Sequence, residues 1–409
     1  MKVLLHLLVL MKISSSCWTF EVAVKWKNKY FKNSSNFKNP PSSFEIDSER
    51  IYLAMPQYHY TDQTISLGYI IYNTSTHNQI SPEIYPFPNM ETHLTNKTIV
   101  SATYIQRCVN KLWVLDSGAV NITSNTNKTQ LTQPKIIFID LDSDTVMLNL
   151  SIPKQFYSDN SLLVNMAYEE SSSIEVGSFI YIADWEMGII VCSLGRRTDQ
   201  FWLVKKEDWN PSPQSLTPLN WMNHGTLTLA VKNKYEDNEL CFNSLDVVPV
   251  YCIKSNALKI MSKSYTGFET LQRFDGKQIL SSVFLRKKNL FFFGLVKEKG
   301  LGCVNRNVKK DRRHNIVTTN KKTMVHPTDV KIDDAGNLWL LNDRLEGFMS
   351  GKFGNVFLLK ASVDHIMKPC QKVSETTVKS GCPRTASFPN FVLLSIISTV
   401  LCNSLNNFY

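Results

Sequence analysis

The chain has 409 residues, 43% of them hydrophobic and 11% aromatic, and its 45 Lys and Arg against 35 Asp and Glu give a formal net charge of +10. That apolar content excludes a disordered chain, and the positive excess favours acidic partners such as a polyanionic extracellular matrix. A length prior gives two or three domains, but closed repeat architectures exceed it because each repeat shares its core with its neighbours, so one large domain is expected.

The chain opens on Met1-Lys2-Val3-Leu4-Leu5-His6-Leu7-Leu8-Val9-Leu10-Met11, one early positive charge followed by a short apolar run, with Ser14, Ser15 and Ser16 ahead of Cys17. This is the pattern of a signal peptide, too short to span a membrane. Residues 1–18 are assigned to it, and secretion to the extracellular space follows. N-x-Ser/Thr acceptors stand at Asn33, Asn73, Asn96, Asn121, Asn127 and Asn149, all within the first part of the mature chain, as a glycan-bearing sector would place them.

A short apolar strand closing on a polar residue then recurs. Leu112-Trp113-Val114-Leu115-Asp116 returns as Ile180-Tyr181-Ile182-Ala183-Asp184 and as Leu338-Trp339-Leu340-Leu341-Asn342, with weaker copies at Tyr52-Leu53-Ala54-Met55-Pro56 and Leu290-Phe291-Phe292-Phe293-Gly294. The copies begin at residues 52, 112, 180, 290 and 338, and the 110-residue interval leaves room for one unrecognised copy. Six units with several short strands each predict an all-β, six-bladed β-propeller over residues 19–372.

Each copy is apolar on both sides, so both faces of the strand are covered. The terminal residues Asp116, Asp184 and Asn342, the last followed by Asp343 and Arg344, are then candidates for one rim of an axial channel. There they would hold a cationic small molecule or a metal through charge-assisted contacts. The competing reading is that each caps the turn leaving its strand. Asp333-Asp334-Ala335-Gly336-Asn337 lacks the acidic ligands of a calcium loop and reads as a tight turn.

Leaving out Cys17 near the cleavage region and Cys402 near the end, seven cysteines remain, Cys382 among them, so one is unpaired or intermolecular. Cys241 and Cys252 flank a segment of hairpin length, and Cys303 and Cys370 belong to the last two units, where a bridge fastens the ring. No CxxC pair or His/Cys cluster predicts a metal, and no cofactor is expected. The basic run Arg306, Lys309, Lys310, Arg312, Arg313, Lys321 and Lys322 reads as a solvated loop. Nucleic acid is excluded as a partner for want of a binding motif. Residues 373–409 form a Ser/Thr-rich and apolar tail. A membrane enters only if Phe391 to Cys402 is a lipid-anchor signal.

None of HExxH, G-x-S-x-G, GxxxxGK[ST] or GxGxxG in a strand-to-helix setting is present. Of the eight histidines, His224, His326 and His365 lie beside expected strands.

Cys108-Val109-Asn110-Lys111-Leu112-Trp113-Val114-Leu115-Asp116-Ser117-Gly118, Ile136-Ile137-Phe138-Ile139-Asp140-Leu141, Phe179 through Asp184, and Thr328-Asp329-Val330-Lys331-Ile332-Asp333 through Asn342-Asp343-Arg344-Leu345 resemble the yellow and major royal jelly protein family of insects. The order and spacing agree from about Val24-Lys25-Trp26 to Cys370. The resemblance implies a secreted six-bladed propeller, often glycosylated. Members serve in cuticle pigmentation, in eggshell or other matrix, as nutritive jelly proteins or as salivary binders of biogenic amines, and a few are credited with dopachrome conversion.

Carried over by position, Thr328 matches a threonine lining the amine pocket of the salivary binders, Asp343 stands where they have an asparagine, and Leu345 replaces their stacking aromatic, which removes a cation–π contribution. The resemblance also agrees with a Cys303–Cys370 bridge. Cys108 stands five rather than four residues before Trp113, and no cysteine stands near Glu175, where the family places the partner. Cys192 is the expected substitute partner.

The expectation is therefore a secreted, non-catalytic or weakly catalytic matrix, cuticle or eggshell-associated protein with a ligand-capable channel. Thr328, Asn342, Asp343, Arg344, Asp116 and Asp184 are its ligand-binding candidates. The alternatives are a dopachrome-converting tautomerase, with His326 or Asp343 as general base, and a binder of biogenic amines. The ligand is accordingly an amine or a catechol.

Overall fold

The alternation that made the repeats legible sorts side chains to opposite faces of each strand. In blade 2, Leu112 and Val114 pack toward blade 1 while Trp113 and Leu115 pack toward blade 3. Among the described residues the core divides into six such clusters, each filling the junction between two neighbouring blades, including that between the last blade and the first. The computed structural model describes residues 20–371 except 28–29, 74–77, 123–127, 171–176, 196–198, 209–225, 233–237, 245–248, 274–278, 309–314 and 344–353. These residues lie in one unit, Trp18–Val373.

Six blades make the ring, as the repeats predicted: five are four-stranded antiparallel sheets, and the sixth adds the short strand Gln79–Ile80, paired in parallel, as a fifth. The inner strands are Ser43–Ile46, Ala102–Cys108, Leu163–Glu169, Thr226–Lys232, Ile279–Leu285 and Pro327–Ile332, for blades 1 to 6. Each packs against the next, and that of blade 6 against that of blade 1. The recurring motif is the second strand of each blade, and the unrecognised copy is Glu239–Ser244 in blade 4. Blade 6 takes its fourth strand from the N-terminus, where Glu21–Trp26 pairs antiparallel with Val356–Ser362 and the buried Trp26 lies opposite Val356.

The inner strands of blades 2 to 6 each slip register by one residue near their start, between Ala102 and Tyr104, Leu163 and Asn165, Thr226 and Thr228, Ile279 and Ser281, and Pro327 and Asp329. A bulge of this kind re-aims the side chain it displaces; in blade 6 that side chain is Thr328. Close approach fixes the neighbouring strand, because a Cβ on Gly294 would stand 2.8 Å from Pro327 Cβ and 2.6 Å from Ser281 Oγ. Among the described residues no helix is long and apolar enough to cross a membrane.

Among the described residues two disulfides are formed. Cys241 and Cys252 lie directly opposite each other in adjacent strands. Cys303–Cys370 joins the third strand of blade 5 to the turn of helix at Lys368–Gln371, across a sequence separation of 67. That bridge encloses three strands of blade 6, so the double variant Cys303→Ala/Cys370→Ala is expected to lose about 3–4 kcal/mol of stability. Urea unfolding measures the loss, and an unchanged midpoint contradicts it.

The expected Cys108–Cys192 bridge is not formed, and both thiols are free. Cys108 ends the inner strand of blade 2, whereas Cys192 lies in the third strand of blade 3, between Ile180 and Phe201. The basic run departs from expectation at Arg306, which bonds the Glu239 carboxylate beside the Cys241–Cys252 bridge instead of standing in solvent. Residues 1–18, 373–409, Asn127, Arg344 and Leu345 lie outside the described residues.

Candidate functional site

The first two strands of blade 6 run antiparallel, so the residue before Pro327 and the residue after Asn342 emerge side by side at the end of the ring where every inner strand begins. They are His326 and Asp343. His326 Nδ1 lies 2.7 Å from Asp343 Oδ1, with the carboxylate fully buried and 12% of the imidazole side chain exposed. A carboxylate only accepts, so in this contact Nδ1 carries the hydrogen. The Thr328 hydroxyl, displaced by the bulge, donates to the His326 carbonyl at 3.1 Å and fixes the backbone that carries the imidazole.

Asn342 is 1% exposed, and neither its amide nitrogen nor its amide oxygen has a hydrogen-bond partner among the described residues. A buried amide left so costs about 1–3 kcal/mol, which a bound polar molecule offsets. Tyr58, from the loop after the second strand of blade 1, is buried, and burial first and the Asp343 charge second push its phenol well above the ordinary value. It therefore stays protonated and able to donate. The loop that carries it is held by Asn39, whose amide donates to Gln57 Oε1 at 3.1 Å and to the His59 carbonyl at 2.9 Å. Tyr58 was not a candidate from sequence, because only ring closure brings blade 1 beside Asp343.

Asp116 and Asp184 sit at the blade positions equivalent to Asn342 and on the same end of the ring, but each serves its own blade. The Asp116 carboxylate accepts from the backbone of Val100 at 2.9 Å, Ser101 at 2.7 Å and Gly118 at 2.9 Å. Gly118 has φ +62°, and a Cβ there would stand 2.2 Å from the Thr132 carbonyl oxygen. Asp184 accepts from the Ser161 hydroxyl and from Glu186 N, and burial raises its pKa. The turn-capping reading thus describes these two, while His326, Thr328, Asn342 and Asp343 come together in blade 6.

At the other end of the inner strands the axial channel widens into a cavity of about 620 Å3. On its wall Lys331 Nζ is 2.9 Å from Glu45 Oε1, 3.7 Å from Asp329 Oδ2 and 2.9 Å from Tyr104 Oη. Asp329 also accepts from Ser43 Oγ at 2.7 Å. This buried network links blade 6 to blades 1 and 2.

Burial pushes Asp329 up to about 6 against Lys331, which lowers it. An acid whose folded value is raised is favoured in its protonated form, so its contribution to stability is full at low pH and is lost as pH rises from about 4 through about 6. Asp329→Asn is expected to flatten that slope in thermal melts between pH 4 and 6.5. Equal slopes in the two proteins contradict it.

Among the described residues the one group of metal-ligating side chains is Glu239, Cys241 and Cys252. Both sulfurs are in a disulfide and Arg306 holds the carboxylate, so the donors for a cation are already engaged.

A family model described as Major royal jelly protein matches residues 98–370, more than half of the chain. Dopaminechrome tautomerase of Drosophila melanogaster is 24% identical over 363 residues, covering 81% of this chain and 76% of that protein. Protein yellow of Drosophila subobscura is 24% identical over 286 residues, covering 66% of this chain and 50% of its own length, so the chain spans about half of that relative. Among solved structures, a luciferin-regenerating enzyme superimposes with a TM-score of 0.47 at 7% identity, over 85% of this chain and 94% of that one.

Proposed function

This chain belongs to the major royal jelly protein family, and from that membership together with the blade 6 geometry we propose that it is a secreted propeller catalysing proton transfer within a small catechol-derived quinone. The observation that carries the reading is the 2.7 Å contact between His326 Nδ1 and the buried Asp343 carboxylate. Its relative named dopaminechrome tautomerase covers most of the chain. Tautomerisation moves a proton from carbon to oxygen without net oxidation, so one base and one donor suffice. His326 Nε2 takes the proton, Asp343 stabilises the imidazolium that results, and Tyr58 donates to the developing oxyanion. The Asn342 amide bonds the catechol oxygens.

Purified protein incubated with dopaminechrome is expected to consume many equivalents, followed by loss of its visible absorbance. Saturation in calorimetric titration without consumption replaces this reading with the second one, an extracellular binder without turnover. Two observations favour that alternative: Asp116 and Asp184 are engaged by their own blades, and the net charge of +10 suits retention on an acidic matrix.

Secretion is supported by the disulfides and by the acceptor asparagines. Asn33, Asn73, Asn96 and Asn149 are exposed and Asn121 is half-buried. Protein secreted from insect cells is expected to lose mass on glycosidase treatment, and an unchanged mass contradicts the glycan assignment.

A further inference from the structure

The cavity at the far end of the channel has no part in the chemistry assigned to His326 and Asp343, yet it is built like a binding site. Its volume of about 620 Å3 falls in the range of small-molecule pockets. Its lining is about evenly polar and apolar, and the apolar part includes Tyr104, Met166, Leu229 and Phe284, all less than a tenth exposed.

The charges at its mouth are unevenly committed. Lys331 is held by Glu45 and Asp329. Arg107 is held by Asp334 at 2.9 Å, with Asp47 at 3.8 Å. Asp333 accepts from Asn337 N at 2.7 Å and from Trp339 Nε1 at 2.7 Å. Among the described residues Arg286 and Lys287 stand exposed on this mouth with no ion-pair partner, against the single uncommitted carboxylate of Glu170.

Two further features mark this mouth. Arg107 Nε is a buried donor without an acceptor among the described residues. Val109, on the turn lining the cavity, holds φ +53° while 72% exposed. A β-branched residue in the left-handed region is an outlier of the kind that collects at ligand clamps.

We propose that this mouth is a second ligand site, which takes a small organic acid with an aromatic body. The ring enters between Tyr104 and Phe284, and the carboxylate meets Arg286 and Lys287. Two cations with no ion-pair partner among the described residues, set beside these apolar side chains, discriminate by sign, so an amine carrying the same ring is rejected.

Indole-3-acetate and tryptamine share a ring and differ in charge, and calorimetric titration of the full chain with each tests the site. Indole-3-acetate is expected to bind saturably at one equivalent, with tryptamine at least tenfold weaker. The variant Arg286→Gln/Lys287→Gln, altered only at exposed positions, is expected to weaken indole-3-acetate at least tenfold while still converting dopaminechrome. His326→Ala is expected to bind indole-3-acetate as the parent does. Absence of indole-3-acetate binding, equal affinity for tryptamine, or a double variant that binds as well as the parent overturns the assignment. Loss of binding in His326→Ala also overturns it by placing the acid at the other end of the channel. A failure of dopaminechrome turnover with these binding results intact bears only on the tautomerase reading.

Discussion

His326→Ala is expected to lower the rate of dopaminechrome conversion by about 10²–10⁴-fold, the usual contribution of a positioned general base. The effect follows from where the imidazole stands. Its Nδ1 is engaged 2.7 Å from a fully buried carboxylate, so the ring cannot turn without breaking that contact, and Nε2 is presented in one orientation. Asp343→Asn keeps the shape but removes the charge that stabilises the imidazolium. A loss approaching that of His326→Ala is expected, with KM changed far less than kcat. Tyr58→Phe, which keeps the ring and removes the donor, is expected to cost less than either. A His326→Ala protein that folds and retains more than half of the parent kcat contradicts the assignment.

The largest expected change in stability is at the opposite end of the channel. Lys331→Ala removes the cation that sits 2.9 Å from Glu45, 3.7 Å from Asp329 and 4.2 Å above the Tyr104 ring. Asp329 is 2% exposed and stays behind without compensation. Breaking a buried ion pair from one side costs about 3–5 kcal/mol, and here the break falls where the last blade meets the first two. The double variant Asp329→Asn/Lys331→Met deletes both charges and keeps the aliphatic stem, so part of the loss is expected to return. Urea unfolding that finds Lys331→Ala within 1 kcal/mol of the parent contradicts the role given to this network.

The propeller was legible because strands covered on both faces leave a contiguous apolar run. Leu338 to Leu341 faces blades 5 and 1 in alternation, and nothing polar interrupts it. The blade 4 copy hid because Glu239 opens it and Asn243 and Ser244 follow after only Leu240, Cys241 and Phe242. The closing strand Glu21–Trp26 carries two charges in six residues, and its partner Val356–Ser362 lies at the other end of the chain, so no local pattern announced the pairing.

At the site, His326 and Asp343 were both candidates, but their contact depends on the hairpin between them, and Tyr58 depends on closure of the whole ring. Asp116 misled for a physical reason. The amides that consume it belong to Val100 and Ser101, at the entry to the blade rather than on the recurring strand, so the repeat alone could not tell a cap from a ligand. Cys108 and Cys192 share the cluster between blades 2 and 3, and nearness in a cluster does not bring two strands of different rank within bonding distance.

A crystal structure with 5-hydroxyindole, a stable uncharged ring with a phenolic oxygen, tests most directly that the chemistry belongs to the blade 6 end of the channel. The account predicts the ring within hydrogen-bonding reach of His326 Nε2, with its oxygen at Tyr58 or the Asn342 amide. A ring bound only in the cavity between Tyr104 and Phe284, with His326 and Asp343 untouched, contradicts it.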